Sequence, residues 1–308
     1  MNGFLRKAAT VIACLLTLSI STSAQEKAGA TEAEYGNIVV YLETAEWNQT
    51  SPYNKLCQTS DGRTALTGCV PTAYAILMQY HKCPTEANEK KVYHSGTGES
   101  MTLGHSYEWD KMLKSYRGTY SDAEAEAVAT LMRDLGWAYG VEYGTGNTAS
   151  GSGGEGAGKL IEIFKYKSES PNVSSATMAT TRDTLANDDL WIQYIKESLN
   201  AGCPIPYSST TKSGGRHIFI LDGYTDRDYF HFNWGWGGSC NGYYTLSNMA
   251  PTASDEYAGG GIANHNAVFM LRPNRGNVAV TATASPDAGG TATVNGSASA
   301  TIADGTQI

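Results

Sequence analysis

Apolar residues recur at helical spacing in three segments of the chain. In the first segment, Ala73, Ile76, Leu77 and Tyr80 share one face, and Pro71 falls in the first turn, where proline is tolerated. In the second, a capping box precedes the apolar stripe and a glycine follows it. These patterns predict helices over residues 67–80, 121–135 and 188–200.

The second half of the chain has the pattern of strands instead. Aromatic and β-branched residues cluster there in short runs that are bounded by turn residues. The runs predict strands over residues 217–223, 229–234, 242–246 and 268–272. Helices therefore dominate early and antiparallel strands late, which predicts an α+β fold.

The first residues have the pattern of an export signal. Arg6 and Lys7 precede an apolar run over residues 8–20, and small residues lead to a cleavage point after Ala24. The run is shorter than the roughly 20 residues that a membrane-spanning helix needs. A lipoprotein anchor at Cys14 is the weaker alternative, because most of the apolar run follows this cysteine. We therefore expect a secreted protein that has no integral membrane segment once residues 1–24 are removed.

Composition divides the rest of the chain into three parts. Residues 25–38 are small and polar and are expected to form a flexible lead, too short for a folded prodomain. Residues 39–273 hold the predicted elements and form one domain, interrupted by a glycine-rich loop over 144–158 that lacks a phosphate-binding motif. Residues 274–308 are rich in glycine, alanine and threonine and resemble a truncated β-repeat.

Charge and cysteine content narrow the function further. The net charge of −8 argues against a nucleic-acid partner. Removal of the signal leaves five cysteines, an odd number that suggests one reactive thiol in an exported chain. Cys69 is the candidate for that thiol. The other four either form two disulfides or remain buried thiols: Cys57, Cys83, Cys203 and Cys240.

Cys69 has the sequence context of a nucleophile. Gly68 allows a sharp turn into the first predicted helix, so Cys69 falls at the helix N-terminus. The exposed N–H groups and the helix dipole favour a thiolate there, and the same groups can bind the oxyanion formed during acyl transfer. The structural alternative is a buried cysteine in an apolar helix.

A cysteine nucleophile needs a base, and His217 is the best placed of the six histidines. It opens the predicted strand 217–223, so its ring can project at the strand end. His231 is the main rival, although a hydrogen-bonded histidine within a sheet also explains it. His81 ends the Cys69 helix, roughly 18 Å away by the helical rise. The remaining histidines lie in polar loops: His94, His105 and His265.

Asn233 and Trp234 follow on the next predicted strand. An asparagine oxygen can accept from an imidazole N–H and fix the tautomer, and an adjacent indole can shield that bond from water. The alternative is a turn rich in tryptophan and glycine that holds core tryptophans.

Together these motifs resemble the streptopain family of secreted bacterial cysteine peptidases. The resemblance covers residues 39–271 and implies a papain-like α+β fold with an N-terminal helical lobe and a C-terminal antiparallel β lobe. It also implies an endopeptidase that hydrolyses protein substrates through a thioester acyl-enzyme. The matching motifs lie in family order at residues 47–54, 67–73, 78–81, 217–223 and 232–238.

The resemblance assigns a role to each candidate site residue. Cys69 would be the nucleophile and His217 the general base and acid. Asn233 would orient His217 under the cover of Trp234, and Gln49 would complete the oxyanion hole. No metal or cofactor is implied, and protein or peptide substrates are the expected partners.

Two features depart from the family pattern. No folded prodomain fits between the signal and Trp47, so latency would depend on a separate proteinaceous inhibitor, the tail or the redox state. Arg216 stands where the family tends to have glycine, and it could narrow the cleft or contact an acidic residue.

Two other functions remain open from the sequence. Related acyl chemistry, such as transpeptidation or amide hydrolysis, is a further enzymatic hypothesis. A different class is a catalytically silent papain-like module that binds a host or surface protein.

Overall fold

The structure is a computed structural model that describes residues 29–94, 98–144, 156–169, 180–182, 187–211, 215–251, 265–275, 277–281 and 299–303. The expected export signal, most of the glycine-rich loop and most of the expected tail lie outside these residues. Within them, none of the helices has both the length and the apolar character needed to cross a bilayer.

The described residues form five α-helices and a short 3₁₀ turn over Trp109–Lys111. The helix bounds are α1 Glu32–Tyr35, α2 Cys69–His81, α3 Asp122–Ala138, α4 Gly158–Glu162 and α5 Asp188–Asn200. The capping box at the start of α3 forms as predicted, because Ser121 and Glu124 each accept the other's backbone N–H.

The three predicted helices are confirmed as α2, α3 and α5. Gly136 does not end α3, as its position in the sequence suggested, and the helix continues to Ala138. A Cβ at Gly136 would collide with the hydroxyl of Tyr143, so this glycine makes room for a tyrosine against the helix. The glycine therefore marks a packing contact rather than a helix end.

Strands pair mostly in one sheet. Their bounds are β1 Ile38–Tyr41, β2 Lys90–His94, β3 Glu99–Leu103, β4 Tyr166–Ser168, β5 Thr180–Thr181, β6 Ile205–Thr210, β7 Arg216–Thr225, β8 Phe230–Asn233, β9 Gly242–Tyr244, β10 Asn266–Ala267, β11 Leu271–Pro273, β12 Asn277–Thr281 and β13 Ser299–Ala303. Seven of these form an antiparallel sheet in the order β5-β10-β6-β7-β8-β9, with β1 also paired to β7. Outside this sheet, β2 pairs with β3, β4 with β11 and β12 with β13.

Three of the four predicted strands are confirmed as β7, β8 and β9. The fourth, expected over 268–272, is displaced, since β10 and β11 flank a turn at Phe269 and Met270. With helices α2 and α3 in the first half and the antiparallel sheet mainly in the second, the predicted α+β fold is confirmed.

Two hydrophobic cores meet at β7. Successive side chains of a strand point to opposite faces, and this strand is buried on both. Ile218 and Ile220 join the core around α2 and α3, whereas Phe219 and Leu221 join the core around α5. His217 therefore sits at the end of a strand that both cores hold rigidly.

Part of the expected flexible lead lies against the sheet. The N–H of Ala30 donates to the carbonyl of Tyr243 over 2.8 Å, and Asn37 is bonded to Asp226 through both backbone and side chain. Polar composition indicated mobility here, but short polar residues can equally satisfy the edge of a sheet.

Candidate active site

Helix α2 begins at Cys69 because the preceding residues set up its N-terminus. Gly68 has a φ of 88°, a left-handed conformation that glycine adopts without steric cost. Its carbonyl accepts from the hydroxyl of Thr72 over 2.8 Å, and that hydroxyl also meets the hydroxyl of Thr67 at 2.8 Å. Cys69 is partly exposed and lies where N–H groups at the start of the helix point outward.

The segment that carries Gln49 is bonded directly to this helix start. The N–H of Thr67 donates to the carbonyl of Gln49 over 3.1 Å, two residues before Cys69. Trp47 anchors the segment, since its side chain is fully buried and its indole N–H donates to the carbonyl of Leu113. Gln49 itself is partly buried, and its backbone bond to Thr67 places the residue beside the helix N-terminus.

The imidazole of His217 is held by a backbone carbonyl and covered by indoles. Its Nε2 lies 2.8 Å from the carbonyl oxygen of Trp234. A carbonyl can only accept, so Nε2 carries the proton and Nδ1 is the nitrogen that can take one up. The ring of Trp236 stacks on the imidazole with centroids 5.1 Å apart.

The surroundings of His217 favour its neutral form. Burial lowers the pKa of the ring to about 4, while the bond to the carbonyl of Trp234 opposes this change. A negative charge nearby would raise the pKa again, because it stabilises the imidazolium. The ring can therefore act as a base whose proton affinity depends on a thiolate partner.

The peptide unit between Trp234 and Gly235 contacts both halves of the site. Its carbonyl binds His217, and a Cβ added at Gly235 would lie only 3.1 Å from Cγ2 of Thr72 in the first turn of α2. The turn is fixed further by the N–H of Gly237, which donates to the carbonyl of Trp47 over 2.8 Å. Helix start, Gln49 segment and His217 strand thus converge on one turn.

Asn233 has partners other than the expected imidazole. Its Nδ2 donates to the hydroxyl of Thr44 and to the carbonyl of Ala45, each over 2.9 Å, and its Oδ1 accepts from the N–H of Gly235 over 3.2 Å. The expected direct bond from His217 to Asn233 is therefore replaced by the bond to the carbonyl of Trp234. The reason is geometric, since strand β8 points the amide of Asn233 inward, to the segment that contains Thr44.

Trp234 is fully buried beside His217, with ring centroids 6.4 Å apart and planes 12° from parallel. The backbone N–H of Trp234 donates to Oδ1 of Asn241, which fixes the residue from the other side. The indole lies next to the imidazole, as the sequence suggested. The backbone carbonyl was missed, because a main-chain acceptor leaves no residue-type signal in a sequence.

The other described histidines have structural partners. His231 lies 2.5 Å from Asp222 and His105 lies 2.8 Å from Asp134. His81 meets the hydroxyl of Tyr166, and His265 meets that of Tyr207. The side chain of His94 lies outside the described residues. His231, the rival base, therefore contacts the carboxylate of Asp222 within the sheet.

None of the five cysteines at described positions forms a disulfide. Burial raises the pKa of Cys57 and of Cys203 to about 11, which keeps both thiols protonated at neutral pH. Cys83 is buried, and Cys240 is partly exposed on the turn after Gly238. The sequence left open whether Cys57, Cys83, Cys203 and Cys240 form two disulfides or remain thiols. In the structure they are thiols.

Arg216 extends from the strand end beside His217. It is exposed, and its guanidinium donates to the hydroxyl of Ser208 on the neighbouring strand over 3.1 Å. In a strand, adjacent residues point to opposite faces, so Arg216 lies on the face opposite to the ring of His217.

Comparison with known proteins gives this arrangement a family context. The sequence model of the Peptidase C10 family matches residues 47–244. Streptopain of Streptococcus pyogenes serotype M28 (strain MGAS6180) is 29% identical over 249 residues, which cover 74% of this chain and 60% of streptopain. Thiol protease/hemagglutinin PrtT of Porphyromonas gingivalis is 31% identical over 239 residues, which cover 73% of this chain and 26% of that protein. The chain thus spans about 60% of the length of streptopain and a smaller share of PrtT.

A solved structure agrees with the sequence matches. Active wild-type interpain A cysteine protease of Prevotella intermedia superimposes with a TM-score of 0.63 at 27% identity, covering 79% of this chain and 98% of that chain. The papain-like fold and the resemblance to streptopain that the sequence indicated are both confirmed.

Proposed function

The chain belongs to the peptidase C10 family, and we propose that it is a secreted cysteine endopeptidase that hydrolyses protein substrates. Residues 39–273 would form the peptidase domain, with Cys69 as nucleophile. One observation carries the proposal. The peptide unit between Trp234 and Gly235 binds His217 through its carbonyl and packs against the first turn of the Cys69 helix.

The proposed reaction begins with proton transfer from Cys69 to Nδ1 of His217. The thiolate attacks the peptide carbonyl and forms a C–S bond while the carbonyl oxygen becomes an oxyanion. Collapse of this intermediate breaks the C–N bond, and the imidazolium gives its proton to the leaving amine. Water, deprotonated by the same ring, then hydrolyses the thioester and regenerates the thiol.

The carbonyl of Trp234 supports both charge states of His217 in this cycle. It accepts from Nε2 whether the ring is neutral or protonated, so the ring keeps its orientation while Nδ1 gains and loses the proton. The stacked indole of Trp236 limits access of water to that bond. Asn233 would contribute indirectly, by fixing the N–H of Gly235.

Purified protein tests the proposal directly. We expect hydrolysis of unfolded casein that stops after treatment with an epoxide inhibitor of cysteine peptidases. A catalytically silent papain-like module would bind protein without cleaving it, and inertness of the reduced protein would favour that alternative. Cleavage that persists in full after the epoxide has reacted would also contradict a cysteine mechanism.

Gln49 is the proposed second donor to the oxyanion, beside the N–H of Cys69. Replacement of Gln49 by alanine should lower kcat about 10²-fold and change KM little, because the donor matters only once negative charge develops. Steady-state kinetics on a peptide amide measure this split. Gln193→Ala is the matched control, since it removes a glutamine amide from the exposed face of α5, where Nε2 donates to Glu197. Equal losses in the two variants would argue against the oxyanion role.

Acid unfolding of Cys69→Ala reports whether burial holds the imidazole of His217 neutral in the folded protein. In Cys69→Ala, His217 faces no thiolate, so its pKa in the folded state stays near 4, below the roughly 6.5 of an unfolded chain. Between these values the unfolded chain binds more protons. The stability contributed by neutral His217 is therefore complete above about pH 6.5 and falls as the pH drops toward 4, by on the order of 2 kcal/mol.

Replacing His217 by glutamine in the Cys69→Ala background should remove most of this acid-dependent loss of stability, because the unfolded chain then no longer binds the extra proton. Urea unfolding of Cys69→Ala and of the double variant at pH 7 and pH 4.5 gives the comparison. The same pH dependence in the two variants would mean that the folded protein does not hold His217 neutral in this range.

The remaining parts of the proposal concern the whole protein. Export through residues 1–24 rests on their sequence pattern, and protein or peptide substrates follow from the family. A separate proteinaceous inhibitor is one route to latency. The expected tail includes a short antiparallel pair, β12 and β13, which is consistent with a β-repeat that begins after residue 273.

A further inference from the structure

A chain of buried hydrogen bonds extends behind the turn that holds His217. Nδ2 of Asn233 donates to the hydroxyl of Thr44 over 2.9 Å, and this hydroxyl donates to Oδ2 of Asp222 over 2.6 Å. The N–H of Thr44 donates to the same carboxylate oxygen over 3.1 Å. All three residues are at most 5% exposed. The hydroxyl of Thr44 is therefore fixed in orientation, because it accepts from Asn233 and donates to Asp222.

The second carboxylate oxygen of Asp222 is also occupied. Oδ1 lies 2.5 Å from Nδ1 of His231, whose ring is enclosed by the rings of Tyr41 and Tyr243. A buried carboxylate with donors on both oxygens cannot rotate without losing bonds, and a lost bond to a buried charge is costly. The carboxylate of Asp222 is therefore held in one orientation within the sheet.

The other end of the chain reaches the catalytic turn through one peptide group. Oδ1 of Asn233 accepts from the N–H of Gly235, and that N–H belongs to the same planar peptide unit as the carbonyl of Trp234. Because the unit is rigid, fixing its N–H also fixes the direction of its carbonyl. That carbonyl is the acceptor for Nε2 of His217.

We propose that Asp222 and Thr44 are positioning residues for catalysis. They hold Asn233, Asn233 holds the Trp234–Gly235 peptide unit, and that unit aims the imidazole of His217. The inference rests on the proposed peptidase function and deepens it. It explains why Asn233 is directed away from the ring that it was expected to orient.

Stability alone is a poor explanation for these groups. Buried ionic and polar groups are often replaced by apolar ones of the same shape with little loss of stability, whereas a fully bonded network selects one geometry. The bonds also join distant parts of the chain, since Thr44 and Asp222 are 178 positions apart. The network fixes the segment before Trp47, strand β7 and strand β8 relative to one another.

Thr44→Val tests the inference, because valine keeps the shape of threonine and removes only the hydroxyl. We expect kcat on a peptide amide to fall about 10-fold while KM changes less than about 2-fold, as for outer residues that orient a reactive group. The rate of alkylation of Cys69 by iodoacetamide at pH 6 should fall in parallel. Thr44→Ser restores the hydroxyl and should bring both rates back to within about 2-fold of the native protein.

Thr225→Val is the matched control. Thr225 is fully buried on the same sheet, and its hydroxyl accepts from the N–H groups of Arg227 and Tyr229, away from the network. We expect Thr225→Val to lower Tm by about as much as Thr44→Val does and to leave kcat unchanged. Asp222→Asn keeps the shape of the carboxylate, and we expect it to lower kcat and the alkylation rate as Thr44→Val does. It serves as the test variant if Thr44→Val does not fold.

Unchanged kcat and alkylation rate in Thr44→Val would overturn the inference, as would an equal loss in Thr225→Val or failure of Thr44→Ser to restore the rates. Absence of peptidase activity in the native protein would instead overturn the proposed function. The alkylation rates would still decide the positioning role in that case, because they report the reactivity of Cys69 without any substrate.

Discussion

Cys69→Ala is expected to lower kcat/KM on unfolded casein peptides by at least about 10⁴-fold, while the protein stays folded. The proposed cycle has no thioester route without the sulfur, and water is a far weaker nucleophile than a thiolate. Cys69 is partly exposed at the first position of a 13-residue helix, so alanine can replace it there without opening a core cavity. Circular dichroism and the unfolding temperature should match those of the native protein.

Cys240→Ser is the matched control for this variant. Cys240 is the other partly exposed cysteine among the described residues, and it lies on the turn that follows the tryptophans. Its substitution should leave kcat/KM within about 2-fold, because no step of the proposed cycle uses its sulfur. Inhibitor-sensitive proteolysis that survives in Cys69→Ala would refute the assignment of the nucleophile.

His217→Ala should lower kcat by on the order of 10⁴-fold, because the ring serves as base in one step and acid in the next. The alkylation rate of Cys69 at pH 6 should fall as well, since the thiolate loses its imidazolium partner. Circular dichroism at pH 6 must accompany both measurements, because an unfolded chain would also lose kcat and the reactivity of Cys69 at low pH.

His81→Gln is the control for a lost imidazole. Burial lowers the pKa of His81 to about 4, as it does for His217, but His81 lies at the opposite end of α2. Glutamine there should change kcat less than about 2-fold, because the residue contacts no reacting group. A His217→Ala variant that keeps native kcat, or a His81→Gln variant that loses it, would assign the base elsewhere.

Local signals in the sequence were sufficient for the three long helices, α2, α3 and α5, and for the strand of His217. Ser121 and Glu124 specify the start of α3 through backbone bonds within four residues, so sequence alone reveals them. Gly68 likewise marks the start of α2. The strand β6 was missed because its residues are almost all buried, polar and apolar alike, and it contains Pro206, so neither alternation nor composition marks it.

The role of Asn233 shows what sequence could not give. Its residue type suits a bond to an imidazole, and its place after His217 supports that interpretation. Its actual partner, Thr44, is 189 positions away. The two residues meet because β8 packs against the segment before Trp47. Contacts of this kind depend on tertiary packing, and so does the main-chain carbonyl of Trp234 that meets His217.

Labelling of the reduced protein with an epoxide inhibitor of cysteine peptidases, followed by peptide mapping, tests the proposed pair of Cys69 and His217 most directly. We expect one modified residue, Cys69, and loss of most labelling in His217→Ala. Labelling at Cys240 or another thiol, or equal labelling of Cys69 with and without His217, would contradict this assignment.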